Sequence, residues 1–193
     1  MNTPNKLTIA RIIATPFFMA ALMIEFPYHY TAALILFAAA SLTDMIDGKM
    51  ARKNNQITDF GKFLDPLADK MLTTAAFLGF IKMGIGWQVT WIAFIVLFRE
   101  FLISSLRLVV VSSGGKVIAA NMWGKCKTVS QMAGIIFALL SYALISDFGI
   151  GGEAFADVCN IIISVLFWIS AVLCIISGAI YLFSSKEYID PAK

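Results

Sequence analysis

The sequence predicts an all-α membrane protein with six transmembrane helices, because its composition is strongly apolar and it contains six long apolar stretches. Of its 193 residues, 60% are hydrophobic and 14% are charged, and the mean hydropathy is +0.83. Soluble domains usually carry about 25% charged residues, so this chain has too few charges to cover a surface that faces water. The length suits one compact helical domain that occupies residues 1–193.

Each predicted helix is a predominantly apolar stretch close to the length of about 20 residues that a bilayer requires. In chain order the six stretches are residues 7–25, 30–52, 61–83, 87–112, 128–145 and 158–183. Helix-breaking residues lie between them: Pro27, then Gly84 and Gly86, then Gly114 and Gly115, and finally Gly149, Gly151 and Gly152. The polar start of the chain and the lack of a convincing cleavage site indicate that the first stretch is an anchor and not a cleaved signal peptide.

The basic residues indicate how the six helices are oriented. An even number of crossings places both termini on one side of the membrane. All of the fifteen Lys and Arg residues except Lys82 fall at or near helix ends on that side, whereas the long loop on the other side carries Asp147, Glu153 and Asp157. Cytoplasmic loops of membrane proteins are enriched in Lys and Arg. We therefore expect cytoplasmic termini, in a multi-pass protein of the cell (inner, cytoplasmic) membrane.

Other residue types argue against several classes of function. The net charge of +3 is small, and no basic run alternates with aromatic residues as a nucleic-acid groove would require. Cys126, Cys159 and Cys174 are widely spaced and are interpreted as packing residues. The single histidine, His29, lies in an aromatic stretch typical of an interfacial connector. Zinc chemistry and a Ser-His-Asp triad are therefore not expected.

The second and third predicted helices carry four aspartates at their cytoplasmic ends. At 100° per residue, positions 44, 47, 48, 51 and 52 share one helical face about 140° wide. Positions 61, 65 and 69 follow at intervals of four and share a face of the next helix. The connection between the two helices is short, which predicts that they are antiparallel neighbours. We therefore expect the two faces to meet.

These aspartates predict a metal site beside a small-residue surface. Carboxylates close to hydrocarbon are rare unless they are paired or bound to metal. Oxygen ligands favour Mg²⁺ or Mn²⁺ over softer metals, and two such ions can bind a diphosphate and neutralise a leaving phosphate. Gly48, Ala51 and Gly61 have little bulk, so a planar base and a ribose could approach the backbone there, and Arg52 adds a cation. Acidic residues at helix ends are usually only solvated, but four aspartates in phase with these residues favour a site.

Residues 44–69 resemble the signature of the CDP-alcohol phosphotransferases, D-x2-D-G-x2-A-R-x8-G-x3-D-x3-D, at every fixed position. The resemblance implies a fold like that of the family and transfer of a phosphatidyl or similar group from a CDP-linked donor to an alcohol, with release of CMP. It implies two Mg²⁺ or Mn²⁺ ions bound by four aspartates: Asp44, Asp47, Asp65 and Asp69. In addition, Asp69 would act as the base on the acceptor hydroxyl. The residues that would bind CDP are Asp44, Asp47, Gly48, Ala51, Arg52, Gly61 and Asp65. Family members form homodimers, so a homodimer is expected.

Weaker similarities concern the acceptor. Residues 99–107 and 124–128 resemble segments of one branch of the family, the bacterial phosphatidylglycerophosphate synthases, and residues 5–11 resemble the family's N-terminal stretch. That branch joins CDP-diacylglycerol, a membrane lipid, to sn-glycerol 3-phosphate. The phosphate of such an acceptor needs cations outside the metal site. The candidates are Arg11, Arg99, Arg107, Lys125 and Lys127. Lys125 and Lys127 are equally well explained as cytoplasmic anchors, and Arg99 as a partner of Glu100.

Two alternatives stay open at this point. Within the enzyme class, the acceptor could instead be phosphatidylglycerol, serine or inositol phosphate, because the signature in residues 44–69 does not distinguish acceptors. Outside it, a divalent-cation transporter is the main competitor, since intramembrane aspartates often mark ion pathways. A transporter predicts acids spread through the membrane depth, often in symmetric halves. Here the acids cluster at one end of two helices, which favours the enzyme.

Overall fold

The fold is a bundle of six α-helices. The computed structural model describes residues 3–53, 59–112 and 122–186, and for the helical residues 3–4, 45–53, 59–60, 62–63 and 65 it describes the backbone alone. Over these residues the chain contains no strand, and the helices are α1 Thr3–Met23, α2 His29–Lys53, α3 Asp59–Met83, α4 Val89–Ser112, α5 Met122–Tyr142 and α6 Glu153–Ser184. A π-helical turn, Ala143–Asp147, continues α5. Each predicted stretch therefore forms one helix, and the all-α prediction is confirmed.

The helix ends differ most from the prediction at α5 and α6. The α5 helix begins at Met122 and not at residue 128, and α6 begins at Glu153 and not at residue 158. Hydropathy marks where a helix becomes apolar, whereas the helical backbone continues into polar sequence as long as its hydrogen bonds are satisfied. Lys125 and Lys127 consequently lie on α5 itself and not in the preceding connection.

The α1 helix packs extensively against both α2 and α3, while the described parts of α2 and α3 contact each other little. The expected meeting of the two acidic faces concerns the end of α2 and the start of α3, where most side chains lie outside the described part of the structure, so it stays a prediction. The close contact between α1 and α3 depends on Gly79, because a Cβ atom there would overlap the side chain of the fully buried Leu22. On the α2 side, the ring of Phe18 lies against that of Phe37, with 5.4 Å between the centroids. The α1 helix thus lies beside both of the helices that carry the aspartates.

The end of the bundle away from the aspartates is built from tight turns and aromatic contacts. Asp147, the last residue of the π-helical turn, accepts hydrogen bonds from the backbone amide and the hydroxyl of Thr31, both at 2.7 Å. A carboxylate at this position satisfies an amide of the first turn of α2 that has no partner within the helix. The connection before α2 turns at Tyr28, whose φ of 63° is unusual for a residue with a side chain. These contacts fix where α2 begins.

The outer surface of the bundle is that of a membrane protein. Among the described residues, three helical segments are long and apolar enough to cross a bilayer by length and composition: Asn5–Met23, Met122–Asp147 and Glu153–Ser184. The other three helices, α2, α3 and α4, carry the acidic residues of the site described below. Large apolar side chains remain exposed all around the bundle, among them Phe17, Ile35, Phe94, Phe101 and Ile161. Such a surface needs an apolar surrounding.

The residues interpreted as structural behave mostly as expected. Cys159 and Cys174 are buried, as packing residues would be, but Cys126 is exposed on α5, so that interpretation is wrong for Cys126. His29 is the first residue of α2 and lies between two aromatic rings, 4.0 Å from that of Tyr30 and 6.0 Å from that of Phe26. The aromatic connector predicted around His29 is therefore present.

Candidate active site

The first predicted metal ligand, Asp44, is held by an arginine from the neighbouring helix. Nη1 of Arg11 on α1 lies 2.5 Å from Oδ1 of Asp44 on α2. The Arg11 side chain is 1% exposed, while that of Asp44 is 45% exposed. Charge-assisted hydrogen bonds of this kind are short and strong, and they fix the orientation of both groups. Asp44 is therefore anchored on one side and still open to solvent, so it can accept a further ligand such as a metal ion.

Asp69 lies on α3, two helical turns beyond Gly61. It is partly buried, and the charges that act on it most strongly are those of Asp44, Lys127, Glu100 and Arg11. These groups belong to α2, α5, α4 and α1. Charged groups from four other helices therefore act on the carboxylate of Asp69. The charge of Asp44 thus reaches Asp69 although the described parts of their helices make little direct contact, and a common site for the two carboxylates stays a prediction.

The remaining residues of the acidic segment lie on the same two helices. Backbone helix is continuous through the end of α2 and the start of α3, so the predicted sharing of helical faces holds for the backbone. Gly61 is buried. The side chains of Asp47, Gly48, Ala51, Arg52 and Asp65 lie outside the described part of the structure, and their predicted roles stay predictions.

Glu100 on α4 is contacted by three cations from three helices. Oε1 of Glu100 lies 2.5 Å from Nζ of Lys127 on α5 and 2.9 Å from Nη1 of Arg99 on α4. Nζ of Lys70 on α3 lies 3.9 Å from Oε2 and also donates a hydrogen bond to the hydroxyl of Ser104. The side chain of Lys127 is only 9% exposed, so its ion pair is largely shielded from water. We refer to Lys70, Arg99, Glu100 and Lys127 as the Glu100 cluster.

The candidates for the acceptor phosphate fall into three groups. Arg99 and Lys127 belong to the Glu100 cluster, and the pairing of Arg99 with Glu100 was one of the two interpretations left open by the sequence. Arg11 is buried against Asp44. Arg107 is exposed at the last turns of α4, with its guanidinium carbon 5.8 Å from the centre of the Tyr181 ring, and Lys125 is exposed on α5.

Lys70, Glu100 and Ser104 were not among the predicted site residues. Lys70 directly follows Asp69, and Ser104 lies one turn after Glu100 on α4, so both spacings were visible in the sequence. What was not visible is the contact between α3, α4 and α5 that brings these residues together. Two signals in the sequence could have pointed to these residues: a lysine next to the predicted base, and a glutamate inside an apolar helix.

The described part of the site fits a hard divalent cation without completing its ligand set. Asp44 and Asp69 supply carboxylate oxygens, the donor type that Mg²⁺ and Mn²⁺ prefer. Within residues whose side chains are described, no group of three or more His, Cys, Asp and Glu side chains comes together. The other two predicted ligands, Asp47 and Asp65, are outside that set.

A wide groove of the described structure lies away from these residues. It has a volume of about 1180 Å³ and is lined by the connection between α3 and α4 and by α6, including Trp87, Ser164 and Trp168. None of the predicted site residues is among the described residues that line it. Its walls are mainly apolar side chains, as expected of a surface against lipid.

Comparison with known proteins assigns the chain to a family. The sequence profile of the CDP-alcohol phosphatidyltransferases matches residues 1–176, which include every residue of the site described above. The chain belongs to this family. The match confirms the resemblance drawn from residues 44–69 and extends it over all six helices.

Relatives in several bacteria carry one functional name, CDP-diacylglycerol–glycerol-3-phosphate 3-phosphatidyltransferase. The protein of this name from Bacillus subtilis is 37% identical over 198 aligned residues, which cover 96% of both chains. That from Rickettsia bellii is 37% identical over 191 residues, which cover 97% of both chains. That from Escherichia coli K12 is 38% identical over 139 residues, which cover 72% of this chain and 76% of the relative. The similarity therefore spans the whole chain and is not confined to the acidic segment.

Proposed function

We propose that this protein transfers the phosphatidyl group of CDP-diacylglycerol to sn-glycerol 3-phosphate, which yields phosphatidylglycerophosphate and CMP in phospholipid biosynthesis. The observation that carries the proposal is the full-length similarity to relatives with that functional name. The site supports it independently, because carboxylates for a metal-bound diphosphate and cations for a phosphate-bearing acceptor converge around Asp69.

The donor would bind at the acidic end of α2 and α3. Asp44, Asp47, Asp65 and Asp69 would hold two Mg²⁺ or Mn²⁺ ions, which would neutralise the diphosphate and stabilise CMP as it leaves. Gly48, Ala51, Arg52 and Gly61 would line the cytidine site. Arg11 would keep Asp44 oriented, because its guanidinium already contacts one carboxylate oxygen and is shielded from water. This contact favours a role for Arg11 with the metal ligand over direct contact with the acceptor.

Asp69 would remove the proton from the attacking hydroxyl of sn-glycerol 3-phosphate. The hydroxyl oxygen forms a bond to the phosphorus that carries diacylglycerol, the bond from that phosphorus to the CMP oxygen breaks, and the proton passes to the Asp69 carboxylate. A base must lie within hydrogen-bond reach of the proton that it takes. Asp69 is suited to this role because the charges of the donor-side Asp44 and of the basic Lys127 both act on it.

The acceptor phosphate would bind to the basic residues near Asp69. Arg99 and Lys127 are the best supported, since both belong to the Glu100 cluster and Lys127 acts directly on the charge of Asp69. Arg107 and Lys125 are exposed and could meet the phosphate as it enters. Arginine suits bidentate contacts with phosphate, whereas lysine acts as a point charge.

The setting of the reaction is also part of the proposal. The acyl chains of CDP-diacylglycerol would remain in the bilayer while its headgroup reaches the site. The bias of Lys and Arg towards one side favours a cytoplasmic site and cytoplasmic termini in the inner membrane. A homodimer follows from the resemblance to the family.

An acceptor panel tests this function. Purified protein is incubated with CDP-diacylglycerol, Mg²⁺ or Mn²⁺, and one acceptor at a time: sn-glycerol 3-phosphate, serine, inositol phosphate or phosphatidylglycerol. We expect CMP release with sn-glycerol 3-phosphate and not with the other three. CMP release with another acceptor alone would replace the acceptor and keep the reaction type. Transport of Mg²⁺ into liposomes without CMP release in the panel would replace the enzyme by a transporter.

A further inference from the structure

Glu100 forms ion pairs with three cations, whereas one cation would be enough to neutralise its carboxylate. Its two carboxylate oxygens are shared among Lys70, Arg99 and Lys127, which come from α3, α4 and α5. Its side chain is 18% exposed. One carboxylate with three cations leaves two positive charges without a counter-charge inside the Glu100 cluster. Such an arrangement at the edge of an apolar bundle has a cost in free energy, because the three cations repel one another.

The cluster could not exist without Glu100. The ammonium group of Lys127 is mostly shielded from water, and an isolated ammonium in such a place either loses its proton or moves outwards. Glu100 provides the counter-charge that keeps the ammonium group of Lys127 in place. It also determines where Arg99 and Lys70 lie, since each has an atom within 4 Å of the carboxylate.

The remaining positive charge matches one chemical group of the proposed substrates. A phosphate monoester carries a charge of about −1.5 to −2 at neutral pH and three acceptor oxygens. Its charge is therefore opposite in sign to the excess of the Glu100 cluster and close to it in magnitude. Lys70 directly follows Asp69 in α3, so the cluster lies beside the proposed base.

We infer that Glu100 is a positioning residue that holds Lys70, Arg99 and Lys127 as a preformed binding site for the phosphate of the acceptor. This inference rests on the proposed function and adds two residues, Glu100 and Lys70, that neither the signature in residues 44–69 nor the predicted acceptor cations include. Ser104 supports the arrangement, because its hydroxyl accepts a hydrogen bond from Lys70 and donates one to the Glu100 carbonyl at 2.7 Å. Glu100 acts through the cations and does not touch the phosphate itself.

The opposite role for Glu100 makes the opposite prediction. If Glu100 only competed with the phosphate for the cations, its neutralisation would tighten binding of the acceptor. If it positions them, its neutralisation displaces Lys127 and weakens binding. The two roles are therefore separated by the sign of the change in the Michaelis constant for sn-glycerol 3-phosphate.

The experiment compares Glu100→Gln with Glu100→Asp in the purified full-length protein. For Glu100→Gln we expect KM for sn-glycerol 3-phosphate to rise about tenfold or more, as for the loss of one hydrogen bond between charged groups. KM for CDP-diacylglycerol should stay within about twofold of its wild-type value, because the donor is proposed to bind at the acidic end of α2 and α3 and not at the Glu100 cluster. Glu100→Asp keeps the charge and should recover part of the affinity. Lys70→Gln should raise the same KM.

Matched controls make the same chemical changes away from the site. Glu153→Gln removes an exposed carboxylate in the first turn of α6, and Lys82→Gln removes a lysine at the far end of the helix that carries Lys70. Both should leave KM for sn-glycerol 3-phosphate unchanged. A second readout uses inorganic phosphate alone: it should raise the thermal stability of the wild-type protein in detergent and not that of Glu100→Gln.

The outcomes separate this inference from the proposed function. If the wild-type protein releases no CMP with sn-glycerol 3-phosphate, the proposed function fails, and stabilisation by phosphate still decides the role of Glu100. An unchanged or lower KM in Glu100→Gln overturns the inference, as does a loss of kcat with both KM values unchanged. If Glu100→Gln does not fold, a wild-type KM in both Glu100→Asp and Lys70→Gln overturns it as well.

Discussion

The two groups of charges around Asp69 differ in their balance. On the proposed donor side, Arg11 forms an ion pair with Asp44 in which the arginine is buried and the carboxylate is half exposed. On the acceptor side, Glu100 meets three cations and leaves an excess of positive charge. Acidic groups that are available for coordination suit metal ions, whereas basic groups in excess suit a phosphate. One end of the bundle is therefore divided into two electrostatic halves, and charges from both halves act on Asp69.

Removal of divalent cations should have the largest effect on activity. It acts only on the half that contains Asp44, where the metal ions are proposed to bind. We expect EDTA to abolish CMP release, because four carboxylates cannot hold a diphosphate without metal ions between them. Addition of Mg²⁺ or Mn²⁺ should restore activity. Turnover that persists in EDTA would contradict the two-metal site.

Asp69→Asn tests the proposed base, on which charges from both halves act. An amide cannot accept the proton of the attacking hydroxyl, so we expect kcat to fall by roughly 10²- to 10⁴-fold. Binding of CDP-diacylglycerol, measured by equilibrium dialysis in detergent, should be retained. Asp157→Asn, which changes an exposed aspartate at the start of α6, serves as the control and should keep its turnover. Near-normal turnover in Asp69→Asn would exclude Asp69 as the base.

Arg11→Gln separates the donor half from the acceptor half. The variant removes the cation that orients Asp44, so we expect kcat/KM for CDP-diacylglycerol to fall by roughly 10- to 100-fold, as for a broken partly buried ion pair. The concentration of Mg²⁺ that gives half-maximal activity should change with it. KM for sn-glycerol 3-phosphate should stay within about twofold. A selective rise of that KM instead would move Arg11 to the acceptor half, where the sequence first placed it.

Arg107→Gln should have the smallest effect. Arg107 is exposed, and its guanidinium lies over the ring of Tyr181 outside the Glu100 cluster. An exposed charge near a binding site contributes mainly through long-range attraction that salt screens. We expect KM for sn-glycerol 3-phosphate to rise about two- to fivefold at low ionic strength and less in 0.5 M salt. A rise as large as that in Glu100→Gln would place Arg107 among the groups that contact the phosphate.

Features that depend on local sequence were predictable, and features that depend on contacts between helices were not. The six helices follow from hydropathy. Helical geometry alone predicts which residues of α2 lie on the same face as Asp44, and which residues of α3 lie on the same face as Asp69. The position of α1 beside both α2 and α3 could not be predicted, because it depends on the fit of Leu22 against Gly79. The predicted acceptor cations Arg99 and Lys127 were identified by their type, but their common partner Glu100 became apparent only in three dimensions.

The hydrogen bonds of Asp147 with Thr31 have a mechanical consequence for the opposite end of α2. They tie the start of α2 to the end of α5, while Arg11 ties the part of α2 that carries Asp44 to α1. A helix fastened at two levels cannot slide along its own axis. The depth of the Asp44 carboxylate relative to the bilayer is therefore set by protein contacts about four turns apart, by the 5.4 Å rise of each turn. A thinner or thicker bilayer would have to adapt to this fixed depth, and the carboxylate would keep its register with Asp69.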